Sequence, residues 1–241
     1  MTTRRRIVLT RQEQQNRPWA ERLRAAGHEV LELPLVRYRA LVTRAEQVPA
    51  KGCDWILFTS PHAATAFCAL GVDTGRARLT CLGSGTAAAL AAAGRSDVLD
   101  LDTRDGAEFA AAFVSCVGPP GRLLLPGSAR RLAEPRATLE AAGFVVSEVA
   151  LYDTEAVPPA ELPTAPLLAD DLVFFASPST VRAFVGAYAQ RPGCVAIGET
   201  TERAAREAGF PVAVAATPDL EAMVLAAGLD PLAPVEPRSG S

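Results

Sequence analysis

Histidine is nearly missing from this chain, with 2 in all, and its 5 cysteines (Cys53, Cys68, Cys81, Cys116 and Cys194) include no CxxC pair. So small a stock of ligands argues against a metal centre. An odd number of cysteines scattered through apolar patterns reads as reduced core thiols of a cytosolic protein, not as a disulfide framework. No apolar run approaches the roughly 18 residues that a membrane span needs. The opening arginines pass straight into strand-like residues, so the reading is a soluble, untargeted, cytoplasmic chain. A basic excess is missing too: 24 Lys and Arg stand against 27 Asp and Glu, a net charge of -3 without the footprint of a nucleic-acid partner. Any anionic ligand must then be held by a local site.

Catalytic signatures are equally scarce. GSGT at 83–86 lacks the third glycine of a dinucleotide fingerprint, and GxxxxGK[ST] does not occur. Ser60 and His62 stand close in sequence but form neither a G-x-S-x-G elbow nor a triad geometry. His62 reads as a solvated residue of a first helical turn.

What the chain does contain is a repeat. DWILFTSPHAATAF at 54–67 is echoed by DLVFFASPSTVRAF at 171–184, with Ser60 and Ser177, Pro61 and Pro178, and Phe67 and Phe184 each 117 apart. A short apolar run, a small polar turn ending in Pro and then a helical pattern make a buried strand entering a capped helix. The offset holds elsewhere: Gly27 and Gly143 are 116 apart, as are Glu32 and Glu148, while Gly83 and Gly198 are 115 apart. With 241 residues, 49% of them hydrophobic, there is material for two cores. Strands are expected at 7–10, 28–38, 55–58, 79–82 and 97–101, with helical patterns after the first, third and fourth and a polar connection over 41–51, and the order repeats with strands at 122–125, 145–151, 172–175, 194–197 and 211–215. Alternation of this kind marks parallel sheets covered on both faces, and two copies make a pair of lobes, not a solenoid.

The duplication leaves two chain paths open. A cut at the GPPG of 118–121 gives sequential domains. In the other path the chain leaves the first sheet after its second strand, builds the whole middle sheet and returns, crossing at 35–43 and 151–159. Both crossings carry extended-favouring residues that suit a short two-stranded hinge.

Ligands of open parallel sheets bind beyond the carboxyl ends of the strands. Those ends carry Thr10 and Arg11, Thr59 and Ser60, Ser84 and Thr86, Gly127 and Ser128, Ser177 and Ser179, and Thr200 and Thr201. Small hydroxyl residues and glycines at helix N-termini leave backbone N–H groups and a positive dipole end for carboxylates or phosphates. Taken singly, each turn reads equally as a plain N-cap; all together they point to an anion-binding cleft. Arg130 and Arg131 either face that cleft or sit on a helix surface. Tyr152, at the second crossing, has a phenol able to donate a proton or simply to pack in a linker.

LTR at 9–11, LELPL at 31–35, the two SP turns, CLGSGTAAAL at 81–90, VALYDT at 149–154 and AIGETTERAAREAG at 196–209, taken in order, resemble the uroporphyrinogen-III synthase family. His62 stands where that family's SPN turn commonly has Asn. The resemblance implies an α/β fold of two similar flavodoxin-like lobes on the exchanged path, each a parallel five-stranded sheet flanked by helices. The outer lobe would take 1–36 and 160–230, the middle lobe 37–153, the return linker 154–159, and a disordered tail 231–241. It also implies cofactor-free cyclisation of hydroxymethylbilane, a linear tetrapyrrole with eight carboxylates, with loss of water and inversion of ring D through a spiro-pyrrolenine, in a cleft between the lobes. Tyr152 matches the tyrosine proposed to assist departure of the ring A hydroxyl, and Thr86 and Thr201 match cleft threonines. Such an enzyme would be a cytoplasmic monomer in transient contact with the preceding pathway enzyme, with no nucleic-acid or membrane partner. A non-catalytic regulatory paralogue binding tetrapyrroles or other anions, and a phosphosugar- or nucleotide-binding protein, stand as the other readings.

Overall fold

The computed structural model describes residues 4–103 and 105–233. Along the chain run β1 (Arg6–Leu9), α1 (Glu13–Ala25), β2 (Glu29–Glu32), β3 (Val36–Ala40), β4 (Trp55–Phe58), α2 (Pro61–Ala69), β5 (Arg78–Cys81), α3 (Ser84–Ala92), β6 (Val98–Asp100) and α4 (Gly106–Cys116). After them come β7 (Arg122–Ser128), α5 (Arg136–Ala141), β8 (Val145–Ala156), β9 (Leu172–Phe175), α6 (Pro178–Ala187), β10 (Gly193–Ala196), α7 (Glu199–Glu207), β11 (Val212–Val214) and α8 (Leu220–Ala226). These form two compact units, a first from the described parts of Met1–Arg37 and Glu155–Ser241 and a second from those of Tyr38–Thr154. No helix among the described residues is long and apolar enough to cross a membrane.

The first unit holds a five-stranded parallel sheet in the order β11-β10-β9-β1-β2. The second sheet has six strands, β3-β8-β7-β4-β5-β6, and those from β8 to β6 are parallel. With β3 set aside, both sheets share one flavodoxin-like order. Each combines the opening strands of one repeat with the closing strands of the other: β1 and β2 lie with β9 to β11, and β7 and β8 with β4 to β6.

The chain crosses between the units along β3 and β8, which are neighbours. Leu41 N–H donates to the Leu151 carbonyl at 2.8 Å and Val157 N–H to the Leu35 carbonyl at 2.9 Å, an antiparallel pairing. The expected two-stranded hinge is thus continuous with a sheet, and β3 gives the second sheet a sixth, antiparallel strand where five were expected. The single strand expected over 28–38 is split at Pro34, β2 staying in the first sheet and β3 entering the second.

The repeated stretch explains itself in contacts. WILF of β4 and LVFF of β9 are buried at every residue, as parallel strands with both faces covered must be. Each runs into the same cap: Ser60 Oγ accepts from Ala63 N–H at 3.1 Å and Ser177 Oγ from Thr180 N–H at 3.3 Å, with Pro opening each helix. The last strand residue then meets the helix ring edge to face, Phe58 on Phe67 at 5.3 Å and Phe175 on Phe184 at 5.5 Å. Helices α1 and α5 are both followed by left-handed glycines, Gly27 at φ +88° and Gly143 at φ +91°.

Helices α4 and α8 are not marked by the sequence pattern above, although each has an Asp cap. Asp105 accepts from Ala107 and Glu108 N–H, and Asp219 from Ala222 N–H. Of the tail expected over 231–241, Leu232 packs against the first unit's core and residues 234–241 lie outside the described residues.

Each central strand is preceded by an aspartate that ties it to its neighbour. Asp54 accepts Arg122 N–H at 2.7 Å; Asp171, fully buried, accepts Leu168 N–H at 2.8 Å and lies 3.4 Å from the Arg6 guanidinium. Removing one partner of a buried pair leaves the other charge uncompensated. Asp171→Ala should therefore lower the unfolding free energy by about 3 kcal/mol, measured by urea denaturation. Glu29→Ala, which removes an exposed carboxylate 3.8 Å from Arg6, should change it by less than about 1 kcal/mol.

Candidate functional site

In the second sheet the winding reverses between β7 and β4, and the crevice beyond the carboxyl ends at such a point is where open α/β sheets bind ligands. A cavity of about 290 Å3 lies there. Thr59 and Ser60 reach it from the end of β4, and Gly127 and Ser128 from the end of β7. Tyr152 of β8 closes one wall, and Arg130 and Arg131 enter from the turn after β7.

A slip in register sets this geometry. β7 and β8 pair evenly from Arg122 with Val145 to Gly127 with Ala150, and then Ser128 pairs with Tyr152, leaving Leu151 over. Such a bulge re-aims neighbouring side chains. The Leu151 carbonyl accepts Leu41 N–H at 2.8 Å and Val42 N–H at 3.3 Å, and the Tyr152 carbonyl takes Ala129 N–H at 2.7 Å. Tyr152 is 7% exposed, with its hydroxyl 3.4 Å from Ser60 Oγ. Within the range expected for the middle lobe, it is part of the second unit's hydrophobic core.

His62 also departs from expectation, because it is half-buried. Its ring stacks on Tyr38 at 3.7 Å between centroids and meets Tyr152 edge-on at 4.3 Å. The antiparallel approach of β3 to β8 brings Tyr38 to α2, a contact that spacing within α2 does not reveal.

Gly127 and Ser128 were expected at a helix N-terminus, but they finish β7, and α5 begins only at Arg136. The turn between them is organised by Arg131. Its Nε donates to the Ser128 carbonyl at 2.9 Å and its Nη1 to the Leu125 carbonyl at 2.7 Å, and its Nη2 bonds the Val149 carbonyl. Burial lowers its pKa while Glu148, at 3.4 Å, raises it; a guanidinium stays charged throughout. Arg131 thus covers strand-end carbonyls that would otherwise repel an anion. Arg130 is exposed, with Nε 3.1 Å from Asp153, and its backbone N–H donates to Ser128 Oγ.

Also in the second unit, α3 starts after Gly83, an extended N-cap without a side-chain acceptor. Ser84 at its first position is exposed, and Thr86 is 4% exposed. In the first unit α7 repeats this after Gly198, with Thr200 exposed and Thr201 2% exposed. The buried threonines leave the backbone N–H groups of each first turn as the accessible donors. At that unit's own reversal, between β1 and β9, Thr10 is buried and its hydroxyl donates to the Phe174 carbonyl at 2.7 Å, tying the two strands. Arg11 lies over the Trp19 ring at 4.4 Å, and Ser179 Oγ is 2.7 Å from Ser177 Oγ. The structure therefore gathers Thr59, Ser60, Gly127, Ser128 and Tyr152 around one cavity, with Ser84 and Thr86 on the adjacent strand end. Thr10, Arg11, Ser177, Ser179, Thr200 and Thr201 belong to the first unit. Among the described residues no group of three or more His, Cys, Asp or Glu side chains is placed to hold a metal ion.

Two flavodoxin-ordered units, each built from both halves of a duplicated chain and each presenting helix N-termini at its strand ends, define a class of two-unit α/β proteins. The family model for uroporphyrinogen-III synthase HemD matches residues 17–225, and the chain belongs to that family. Among solved structures it is similar to uroporphyrinogen-III synthetase from Helicobacter pylori, with TM-score 0.63 and 16% identity over 92% of this chain and 98% of that one. It is also similar to a mutant uroporphyrinogen III synthase from Thermus thermophilus, with TM-score 0.56 and 17% identity over 93% and 97%. Likeness at these identities speaks for the fold. A search of curated protein sequences finds no match.

Burial holds the His62 imidazole below its usual pKa of 6.5. The neutral ring is the form that packs, so its contribution to stability is complete above pH 6.5 and is lost as the pH falls through the lower folded value. The urea midpoint of the native chain should drop between about pH 7 and pH 5, and His62→Phe should remove part of that drop. Identical pH dependence in the two proteins would contradict the burial of this ring.

Proposed function

We infer that the chain carries its family's activity, acting as a cyclising lyase of tetrapyrrole biosynthesis that closes hydroxymethylbilane to uroporphyrinogen III with loss of water. The observation that carries this reading is the buried Tyr152, whose hydroxyl meets Ser60 at the edge of a cavity lying where the sheet reverses. Catalysis here is first a matter of conformation, because the substrate loses its hydroxyl readily and closes by itself to the uninverted isomer. Holding the ends of the chain in the reactive arrangement supplies what solution lacks.

The first turns of α2 and α3 in the second unit, and of α6 and α7 in the first, offer backbone N–H groups for carboxylates, and Arg130 adds an exposed cation. Tyr152 donates its proton to the ring A hydroxyl, which departs as water, and closure then passes through the spiro-pyrrolenine to invert ring D. The phenol is reprotonated before the next turnover. No cofactor enters this reading. In this reading the protein is a cytoplasmic monomer without nucleic-acid or membrane partners, in transient contact with the enzyme that supplies its unstable substrate.

The test is incubation with freshly generated hydroxymethylbilane followed by separation of the isomers. An excess of type III is expected, and type I alone would leave a non-catalytic paralogue. Tyr152→Phe should lower turnover by about 100-fold. Ser60→Ala removes a cap worth about 1 kcal/mol but keeps the amides, and should retain most of the turnover. Nearly full turnover in Tyr152→Phe would remove the proton-donor role; severe loss in a folded Ser60→Ala would remove the primacy of the backbone donors.

A further inference from the structure

Tyr152 has open space on two sides. It lines the cavity at the sheet reversal and also, with Tyr38, Val42, His62, Ala66 and Leu151, an apolar pocket of about 280 Å3. Although it is 7% exposed and belongs to the second unit's core, a residue that borders two cavities has fewer close-packed neighbours than one enclosed on every side, and such neighbours are what fix a side chain in one rotamer. The contact from Tyr152 OH to Ser60 Oγ, at 3.4 Å, is too long to hold the phenol by itself.

What remains is a cluster of three rings. His62 lies flat on Tyr38, 3.7 Å away and 28° from parallel, and stands edge-on to Tyr152 at 4.3 Å and 85°. Tyr38 meets Tyr152 at 4.8 Å and 60°. Edge-to-face pairs of this kind are attractive and directional. His62 can serve as a wall because its own place is fixed: it follows Pro61 in the first turn of α2, whose cap is the bond from Ala63 N–H to Ser60 Oγ. The same turn therefore brings Ser60 to the Tyr152 hydroxyl and an aromatic ring to the Tyr152 ring. Burial disfavours the charged imidazole, so it packs as a flat neutral ring.

We propose that His62 is a positioning residue for Tyr152: backed by Tyr38, its ring holds the phenol at the cavity wall beside Ser60 and bars it from the apolar pocket. The inference rests on the reading of Tyr152 as proton donor. The His62 ring touches the reaction only through that phenol. A flat ring is what the position needs, so phenylalanine serves there and a small side chain does not.

The test is a double-mutant cycle on hydroxymethylbilane turnover with His62→Ala, Tyr152→Phe and the double variant, with His62→Phe as the conservative control and urea midpoints to establish that each is folded. His62→Ala should lower kcat by about 10-fold or more, since small misplacements of a reacting group are costly, and leave KM within about twofold. His62→Phe should restore most of the loss. In the Tyr152→Phe background His62→Ala should cost nothing further, because a residue acting through another loses its effect when the other is gone. Full turnover in folded His62→Ala, losses that add in the double variant, a change in KM alone, or a His62→Phe as impaired as His62→Ala would each overturn the positioning role while leaving Tyr152 as donor. Full turnover in Tyr152→Phe would overturn the donor reading itself.

Discussion

Between Gly127 and Ser128 the ladder of β7 and β8 skips Leu151, and the residues around the cavity take their places from that slip. In even register Leu151 would stand opposite Ser128; the extra residue puts Tyr152 there instead. The same slip frees the Leu151 carbonyl to take two N–H groups from the end of β3, which lays β3 along β8 and brings Tyr38 to the rings of His62 and Tyr152. Arg131 completes the arrangement by bonding the carbonyls of Leu125, Ser128 and Val149 at the same strand ends. A local defect in one ladder thus decides which side chain faces the cavity, what packs behind it, and how the nearby carbonyls are kept from an incoming anion.

What the other strand ends offer in the proposed function is main chain. Ser60 and Ser177 spend their side chains on capping, Thr86 and Thr201 are buried, and Gly83 and Gly198 begin α3 and α7 without any side-chain cap. What those turns present is amide N–H, and any sequence that keeps the turn keeps the donor.

The same property divides what the sequence shows from what it hides. The strand, Ser-Pro turn and helix unit was legible twice over because its causes are local: a buried apolar run, an N-cap and a proline at the first helical position. Parallel sheets and helix N-termini at strand ends followed from it, while the flavodoxin-like order came with the family resemblance. The path of the chain was open between two parses on periodicity alone, since strands of a duplicated chain can complete either sheet. Contacts between distant segments were out of reach. His62 read as solvated because nothing within α2 tells that β3 will cover it, and Gly127 and Ser128 read as a helix start because a bulged strand end looks like a turn. Arg131 read equally as surface or cleft, while its structural part depends on carbonyls of two neighbouring strands. Helices α4 and α8 did have local signals, the N-cap residues Asp105 and Asp219.

The central claim is that backbone geometry at the strand ends makes the anion site. Amide chemical shifts, followed by NMR while a linear tetrapyrrole polycarboxylate without the leaving hydroxyl is added, test it most directly. The account predicts the largest shifts at the amides of first turns, His62, Ser84 and Gly85 in the second unit and Ser179 and Thr200 in the first. Shifts confined to the arginine-rich surface at Arg76, Arg78 and Arg95, at the opposite ends of β5 and β6, with the first-turn amides unmoved, would contradict it.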